Sequence, residues 1–273
     1  MNESCKAIFR KVFCRKDIMK QKTTIQPGSI TSGSNSTFWI DSVEPLRFGK
    51  LNKDLTTEVV IVGGGIAGLS VAYRLCQLKK KVVLVEDGLP GSGETGRTSA
   101  HLVNALDDRY YEIERIFGEE GAKLAAESHS AAIDFIEQAV KKENIECEFE
   151  RVPGYLFLHP SDEKENLVKE YYAVRRAGLK VNMLTEVPSI ILKEKTACIE
   201  FPEQAIFHPL KYIHGLAESV IRMGGKIFTQ THAKEIDHTG IVTDEGFKVK
   251  AKHIVVTTNS PVNDMYVMHL KQF

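Results

Sequence analysis

The sequence predicts an α/β protein, a doubly wound sheet into which a second, mixed α+β layer is inserted. Three observations carry this. "EVVIV" (58–62) and "KVVLVE" (81–86) are continuous β-branched runs, the pattern of parallel strands buried on both faces. Between them "AGLSVAYRLCQLKK" (67–80) has helical apolar spacing and basic residues at its C-terminal end, as the helix dipole favours. Beyond this strand–helix–strand unit the pattern changes to helices and short alternating strands, then returns to helix and strand.

Taken in order, residues 1–22 hold seven Lys/Arg against two acids, with Cys5, Ile8, Phe9, Val12 and Phe13 at helical spacing. Such a segment is either an extension without a role or a transit peptide or membrane-surface anchor; Glu3 and Asp17 count against a transit peptide. "QPGSITSGSNS" (26–36) is a polar linker, and "FWIDSVEPLRFGKLNKDL" (38–55) reads as an irregular arm lying on the domain C-terminal to it. After the strand–helix–strand unit, 119–142 is a long helix, acidic first and basic last. "CEFERVPGYLFLHP" alternates about a central Pro-Gly and predicts a β-hairpin. "SDEKENLVKEYYAVRRAG" predicts a helix capped by Ser161 and stopped at Gly178. "HPLKYIHGLAESVIRMGG" places Pro209 at a helix start and Gly224 past its end. Short strands follow at "KIFTQ", "AKEIDH" and "GFKVKA", then the apolar "HIVVTT".

Composition narrows the function. The 273 residues are 42% hydrophobic and 26% charged, an ordinary globular balance with room for a sizeable core. Thirty-six basic residues offset thirty-six acidic ones, so nothing in the charge calls for nucleic acid. The five cysteines have neither C-x-x-C nor zinc-like spacing, which points to reduced thiols and a cytoplasmic setting, or an organellar one if the basic N-terminus is a transit peptide. The most apolar window, Val59 to Leu75, falls short of the roughly 20 residues that a membrane helix needs.

The chemistry sits in Gly63-Gly-Gly65-Ile66-Ala67-Gly68, between predicted strand and predicted helix. Gly63 permits the tight turn, Gly65 lets the backbone approach a pyrophosphate, and Gly68 allows the helix to pack closely on the strand. The N–H groups and positive dipole of the helix start then face the phosphates. Glu86 ends the second strand, where a carboxylate can accept hydrogen bonds from ribose hydroxyls and would oppose a 2′-phosphate. The loop after it, "DGLPGSGETGRTSAHL", is far longer than a turn requires and rich in small and hydroxyl residues. A simple NAD domain would move directly to its next crossover. This loop instead has the length to follow a pyrophosphate towards a flavin, with Arg97 neutralising phosphate charge.

"VVIVGGGIAGLSVAYRL", "VVLVEDGLPGSGETGRTSAHL", "FERVPGYLFL" and "FHPLKYIHGLAESVIRMGGKIFTQTHAKEI" together resemble the FAD-dependent oxidoreductases of the D-amino-acid oxidase and glycine oxidase superfamily. The ETGRTSAHL loop resembles a subgroup often carrying a C-terminal Rieske domain. The resemblance implies a Rossmann-like FAD-binding sheet with an antiparallel substrate domain, and pyrophosphate binding by Gly63, Gly65, Ile66, Ala67 and Gly68. It also implies ribose binding by Glu86, and Thr98, Ser99, Ala100 and His101 beside the pyrophosphate and flavin, with His101 as a noncovalent wall. Ala233 stands where the family usually has a valine whose backbone meets adenine. Thr257 and Thr258 stand at a strand end usually reading Ala-Thr-Gly, from which Asn259 departs. His129, His159 and His214 read as surface or packing residues, and no catalytic residue or metal ligand is assigned.

The expected division is 1–36 extension and linker, 37–55 arm, 56–145 with 205–260 FAD-binding domain, and 146–204 with 261–273 an incomplete substrate domain. The Rieske pair C-x-H and C-x-x-H is absent from the sequence. The family's substrate sheet continues beyond the point where this chain stops, so a truncated chain is expected. The expected activity is oxidation of an amine or amino acid by hydride transfer to FAD, with oxygen or an electron-transfer partner as acceptor. The alternatives are a catalytically silent FAD-binding fragment needing a partner chain, and an NAD-linked dehydrogenase.

Overall fold

The computed structural model describes residues 36–158, 162–188, 196–259 and 262. The basic helix expected in 1–22, most of the linker, His159, the Ser161 cap and the last residues of the substrate domain lie outside them.

The core sheet grows from the predicted unit. Strand β1 (Leu55–Val62) pairs in parallel with β2 (Val82–Val85), Val59 opposite Val82 and Val62 opposite Val85. Helix α2 (Ile66–Gln77) makes the crossover; a four-residue helix α1 (Phe38–Asp41) precedes it in the arm. On the other side of β1 lies β10 (Lys248–Val256), also parallel, and beyond β2 lies β7 (Lys226–Phe228). Two antiparallel strands, β8 (Ala233–Asp237) and β9 (Gly240–Thr243), complete the order β7-β2-β1-β10-β9-β8. Strand order reverses at β1, which opens a crevice at the carboxyl ends of the parallel strands.

Alternate residues of β1 feed two cores. Val59 and Ile61 pack with Leu69, Tyr73 and Leu84 under α2 and under α5 (Pro209–Arg222). Val60 and Val62 pack with Val83, Val85, Ile241 and Val249 on the opposite face, where Leu51 of the arm joins them. Burial on both faces is why these strands are unbroken valine and isoleucine rather than alternating.

The second sheet is centred on β6 (Cys198–Ile206). Along it run β4 (Glu150–Phe157), β5 (Asn182–Leu184) and the two-residue β3 (His101–Leu102), all antiparallel to it. Helices α3 (Tyr110–Glu143) and α4 (Lys164–Arg176) pack beside it, Tyr110, Ala122 and Ala126 against Leu167 and Val174. The helix expected over 119–142 extends back to Tyr110 through a break at Gly118, whose φ of 76° interrupts the helical geometry. Gly178 (φ 93°) and Gly224 (φ 90°) follow α4 and α5, where a left-handed residue ends a helix cheaply.

Two expectations are corrected. The stretch about Pro153-Gly154 is no hairpin but one strand, β4, paired along its length with β6 and shifted in register between Val152 and Gly154. Proline lacks the N–H a ladder uses, so an edge strand with a bulge accommodates it without a turn. "GFKVKA" and "HIVVTT" likewise form the single strand β10. Its first residues pair with β9, a strand unforeseen in the sequence, while it also runs beside β1 from Val249 to Val256.

Candidate functional site

The turn after β1 is built by close contacts that exclude side chains. Gly63 has φ 109°, and its N–H donates to the Val85 carbonyl at 2.9 Å. A Cβ on Gly68 would fall 1.9 Å from the Gly63 carbonyl oxygen, so α2 starts against the turn itself. Its first helical hydrogen bond runs from Leu69 N–H to Gly65 O, leaving the preceding N–H groups without helical acceptors. One of them, Ile66 N–H, donates to Thr95 Oγ1 at 3.0 Å.

Glu86, at the end of β2, bridges two backbone segments. Its carboxylate accepts from Gly64 N–H at 2.5 Å and from Gly88 N–H at 2.8 Å. Thr257, following β10, donates from Oγ1 to the carbonyls of Val62 (2.9 Å) and Gly63 (3.2 Å). Beside it, the hydroxyl of Thr258 is buried with no hydrogen-bond partner among the described residues. A buried hydroxyl left unpaired costs free energy.

A cleft of about 720 Å³ opens where these segments meet. Of the sequence-predicted residues it gathers Gly63, Gly65, Ile66, Ala67, Glu86, Ala233, Thr257 and Thr258 on its walls, with Asn259. Gly68 lies behind the wall as a packing contact.

Arg97, Thr98, Ser99, Ala100 and His101 are outside the lining. Arg97 turns back on its own loop, donating to the carbonyls of Ser92 and Gly93. Thr98 Oγ1 accepts from Ala100 N–H at 3.2 Å, Ser99 is exposed, and His101, also exposed, opens β3 opposite Ile206. These residues carry the chain from the cleft to the second sheet.

Several lining residues escaped sequence reasoning. Thr95, in a 3₁₀ turn (Glu94–Arg97), reads in the sequence as one hydroxyl among many; only its bond to Ile66 distinguishes it. Asp87 and His232 line the cleft 3.3 Å apart, Oδ1 to Nδ1. Their adjacency to Glu86 and Ala233 was the available signal.

Convergent N–H groups at a helix start and a carboxylate at the neighbouring strand end can together hold a dinucleotide. The glycine cradle and the Thr258 hydroxyl both fit such a ligand. Among the described residues no cluster of three or more His, Cys, Asp or Glu could hold a metal, and no helix is long and apolar enough to cross a membrane.

Comparison with known proteins agrees with this geometry. The family model described as FAD dependent oxidoreductase matches residues 58–270. The Bacillus subtilis protein YhfW, whose description is that of a Rieske 2Fe-2S iron-sulfur protein, is 31% identical over 231 residues, 84% of this chain and 45% of YhfW. Gamma-glutamylputrescine oxidoreductase of Escherichia coli is 27% identical over 224 residues, 80% of this chain and 52% of that enzyme. Among solved structures, glycine oxidase from Geobacillus kaustophilus superposes with a TM-score of 0.62 at 18% identity, covering 75% of this chain and 55% of that one. L-Amino acid deaminase from Proteus myxofaciens gives 0.61 at 17%, covering 82% and 49%. These two likenesses are of fold. The chain spans about half the length of the curated relatives it matches.

Proposed function

The chain belongs to the FAD-dependent oxidoreductase family, and on that premise we propose that it holds FAD in the cleft at β1, β2 and β10 and serves the oxidation of an amine or amino acid. The observation that carries this reading is the meeting, on the walls of one cleft, of the Gly63–Ala67 turn that starts α2 with Glu86 after β2 and Thr257 and Thr258 after β10. When bound, FAD would supply the redox chemistry, as acceptor of a hydride from the substrate carbon with oxygen or an electron-transfer partner as the final acceptor.

The residues divide the work of binding. N–H groups at the start of α2 receive the pyrophosphate, and Gly65 allows its close approach. The Glu86 carboxylate would accept from the adenosine ribose, and the Ala233 backbone would meet the adenine; both residues line the cleft. Thr257 fixes the carbonyls of the turn, sharing its one hydroxyl proton between Val62 and Gly63. Residues 97–101, which lie outside the lining, would continue the chain from the pyrophosphate end of the site, and Arg97 would have to leave the Ser92 and Gly93 carbonyls to neutralise phosphate charge.

The family, and the amine named in the Escherichia coli relative, support an amine or amino acid as substrate. In this reading 56–145 with 205–260 form the FAD-binding domain, and 146–204 with 261–273 belong to a substrate domain. A cytoplasmic setting is supported by Cys76, Cys147 and Cys198, buried thiols that are not joined in disulfides.

The test is a visible absorption spectrum of purified protein after incubation with FAD, followed by anaerobic addition of amines and amino acids. Flavin bands that co-purify and bleach with a substrate support the reading. Protein that stays colourless with FAD refutes it, and bands that no amine or amino acid bleaches refute the activity alone.

A further inference from the structure

The arm before β1 precedes the family region, which begins at residue 58. Nevertheless it reaches the loop bordering the cleft. Thr37 Oγ1 donates to the Gly96 carbonyl at 2.5 Å, and Trp39 Nε1 donates to the Thr98 carbonyl at 2.7 Å, each across 59 residues of sequence. Ile40 closes on the same loop, for a Cβ at Gly96 would lie 3.2 Å from Ile40 Cγ1.

The arm is itself anchored. Ser42 Oγ lies 2.9 Å from His208 Nε2, and the Trp39 indole meets the same imidazole edge-on, centroids 5.0 Å apart. Because His208 Nδ1 accepts from Lys211 N–H, the ring's proton resides on Nε2 and is donated to Ser42, whose hydroxyl passes on to the Trp39 carbonyl at 3.0 Å.

The loop so held carries strain. Ala100 is buried at φ 63°, a left-handed conformation costly for any residue but glycine. Such a residue persists where its surroundings over-determine it, and the Trp39 bond falls two residues before it. At its other end the loop is joined to the phosphate-facing helix start through Thr95 and Ile66. A continuous set of contacts therefore runs from arm to loop to the start of α2. No residue of α1 is fully buried, and Trp39 and Ile40 pack against the core under α2 and α5 while their helix makes these polar contacts.

We propose that Thr37 and Trp39 are positioning residues that hold loop 94–100 against the cleft and so set how tightly the chain retains FAD. The inference rests on the FAD-binding reading.

Two conservative variants of the full chain test it. Trp39→Phe keeps an aromatic ring and deletes the N–H; Thr37→Val deletes the hydroxyl at nearly constant volume, and with its bond to the loop removes its cap on Ile40 N–H. Three quantities are read: the FAD dissociation constant from flavin fluorescence, tryptic cleavage after Arg97 without flavin, and the thermal midpoint of the flavin-free chain. Each variant is expected to bind FAD roughly three- to tenfold more weakly, the effect of one hydrogen bond, and to be cut after Arg97 faster by a similar factor. The flavin-free midpoint should stay within about 2 °C of the parent. Wild-type affinity and wild-type cleavage in both variants would overturn the proposal. So would weaker binding that merely tracks a lowered midpoint with cleavage after Arg97 unchanged. Faster cleavage in the variants of a chain that takes up no FAD at all would uphold the loop clamp and overturn the FAD reading.

Discussion

Gly68 lies directly against Gly63, so closely that a methyl group on Gly68 would stand 1.9 Å from the Gly63 carbonyl oxygen. Neither atom can yield, because the carbonyl is backbone, accepts from Thr257 Oγ1, and belongs to the turn that ends β1. Gly68→Ala must push α2 away from the sheet. Overpacking of this kind costs about 3 kcal/mol, which for a chain of this size lowers the thermal midpoint by roughly 6–12 °C. Thermal melts check the stability loss, and flavin retention should fall with it.

Thr258→Val separates binding from folding. Because the buried hydroxyl has no partner, its removal should leave the flavin-free chain unchanged or up to about 1 kcal/mol more stable. FAD affinity should move the other way, weakening roughly tenfold. Parallel melts and FAD titrations check the opposite signs; a stability loss in the flavin-free melt would mean that the hydroxyl already serves the fold.

Glu86→Gln should affect both. The carboxylate joins Gly64 N–H and Gly88 N–H, and an amide can present only one acceptor oxygen to those two donors. The expected cost is about 1–2 kcal/mol in the flavin-free chain. FAD should bind at least about tenfold more weakly, since the proposed function gives the same carboxylate to the ribose. A melt and an FAD titration of the same preparation measure the two effects.

Stability should depend on pH through two histidines. Burial holds His208 below the ordinary value of 6.5, helped by the nearby positive charge of Lys211, and burial does the same for His214. A histidine depressed in the folded state binds fewer protons there than in the unfolded chain. Its contribution is therefore complete above about pH 6.5 and is lost as pH falls through the folded-state value. The thermal midpoint should drop between about pH 7.5 and 5.5. In His208→Asn, which keeps a side-chain oxygen to cap α5, the drop should shrink to the share of His214. An undiminished drop in that variant would dismiss His208 as a source.

The glycine turn was legible because its requirement is local. Gly63 needs φ 109° and Gly68 needs room beneath a carbonyl, and both demands are met within six residues of chain. Glu86 was legible for the same reason, being placed by a strand end. The Pro153-Gly154 pair misled because its local preference for a turn was overridden by pairing with β6, a partner remote in sequence. Thr95 was passed over because a hydroxyl in a small-residue loop becomes distinctive only when folding brings it to Ile66 N–H.

Residue order was enough to specify the fold class and the position of the glycine turn, since both are encoded in periodicity or in steric limits spanning a few residues, while the family was legible through the resemblance of whole segments. Three features came into being only with the folded chain: the arm grips the cleft-side loop through Thr37 and Trp39, Arg97 turns to its own loop carbonyls, and the Thr258 hydroxyl is left unpaired. Hydrogen bonding and desolvation depend on which groups meet across the fold, and a linear pattern does not specify those partners.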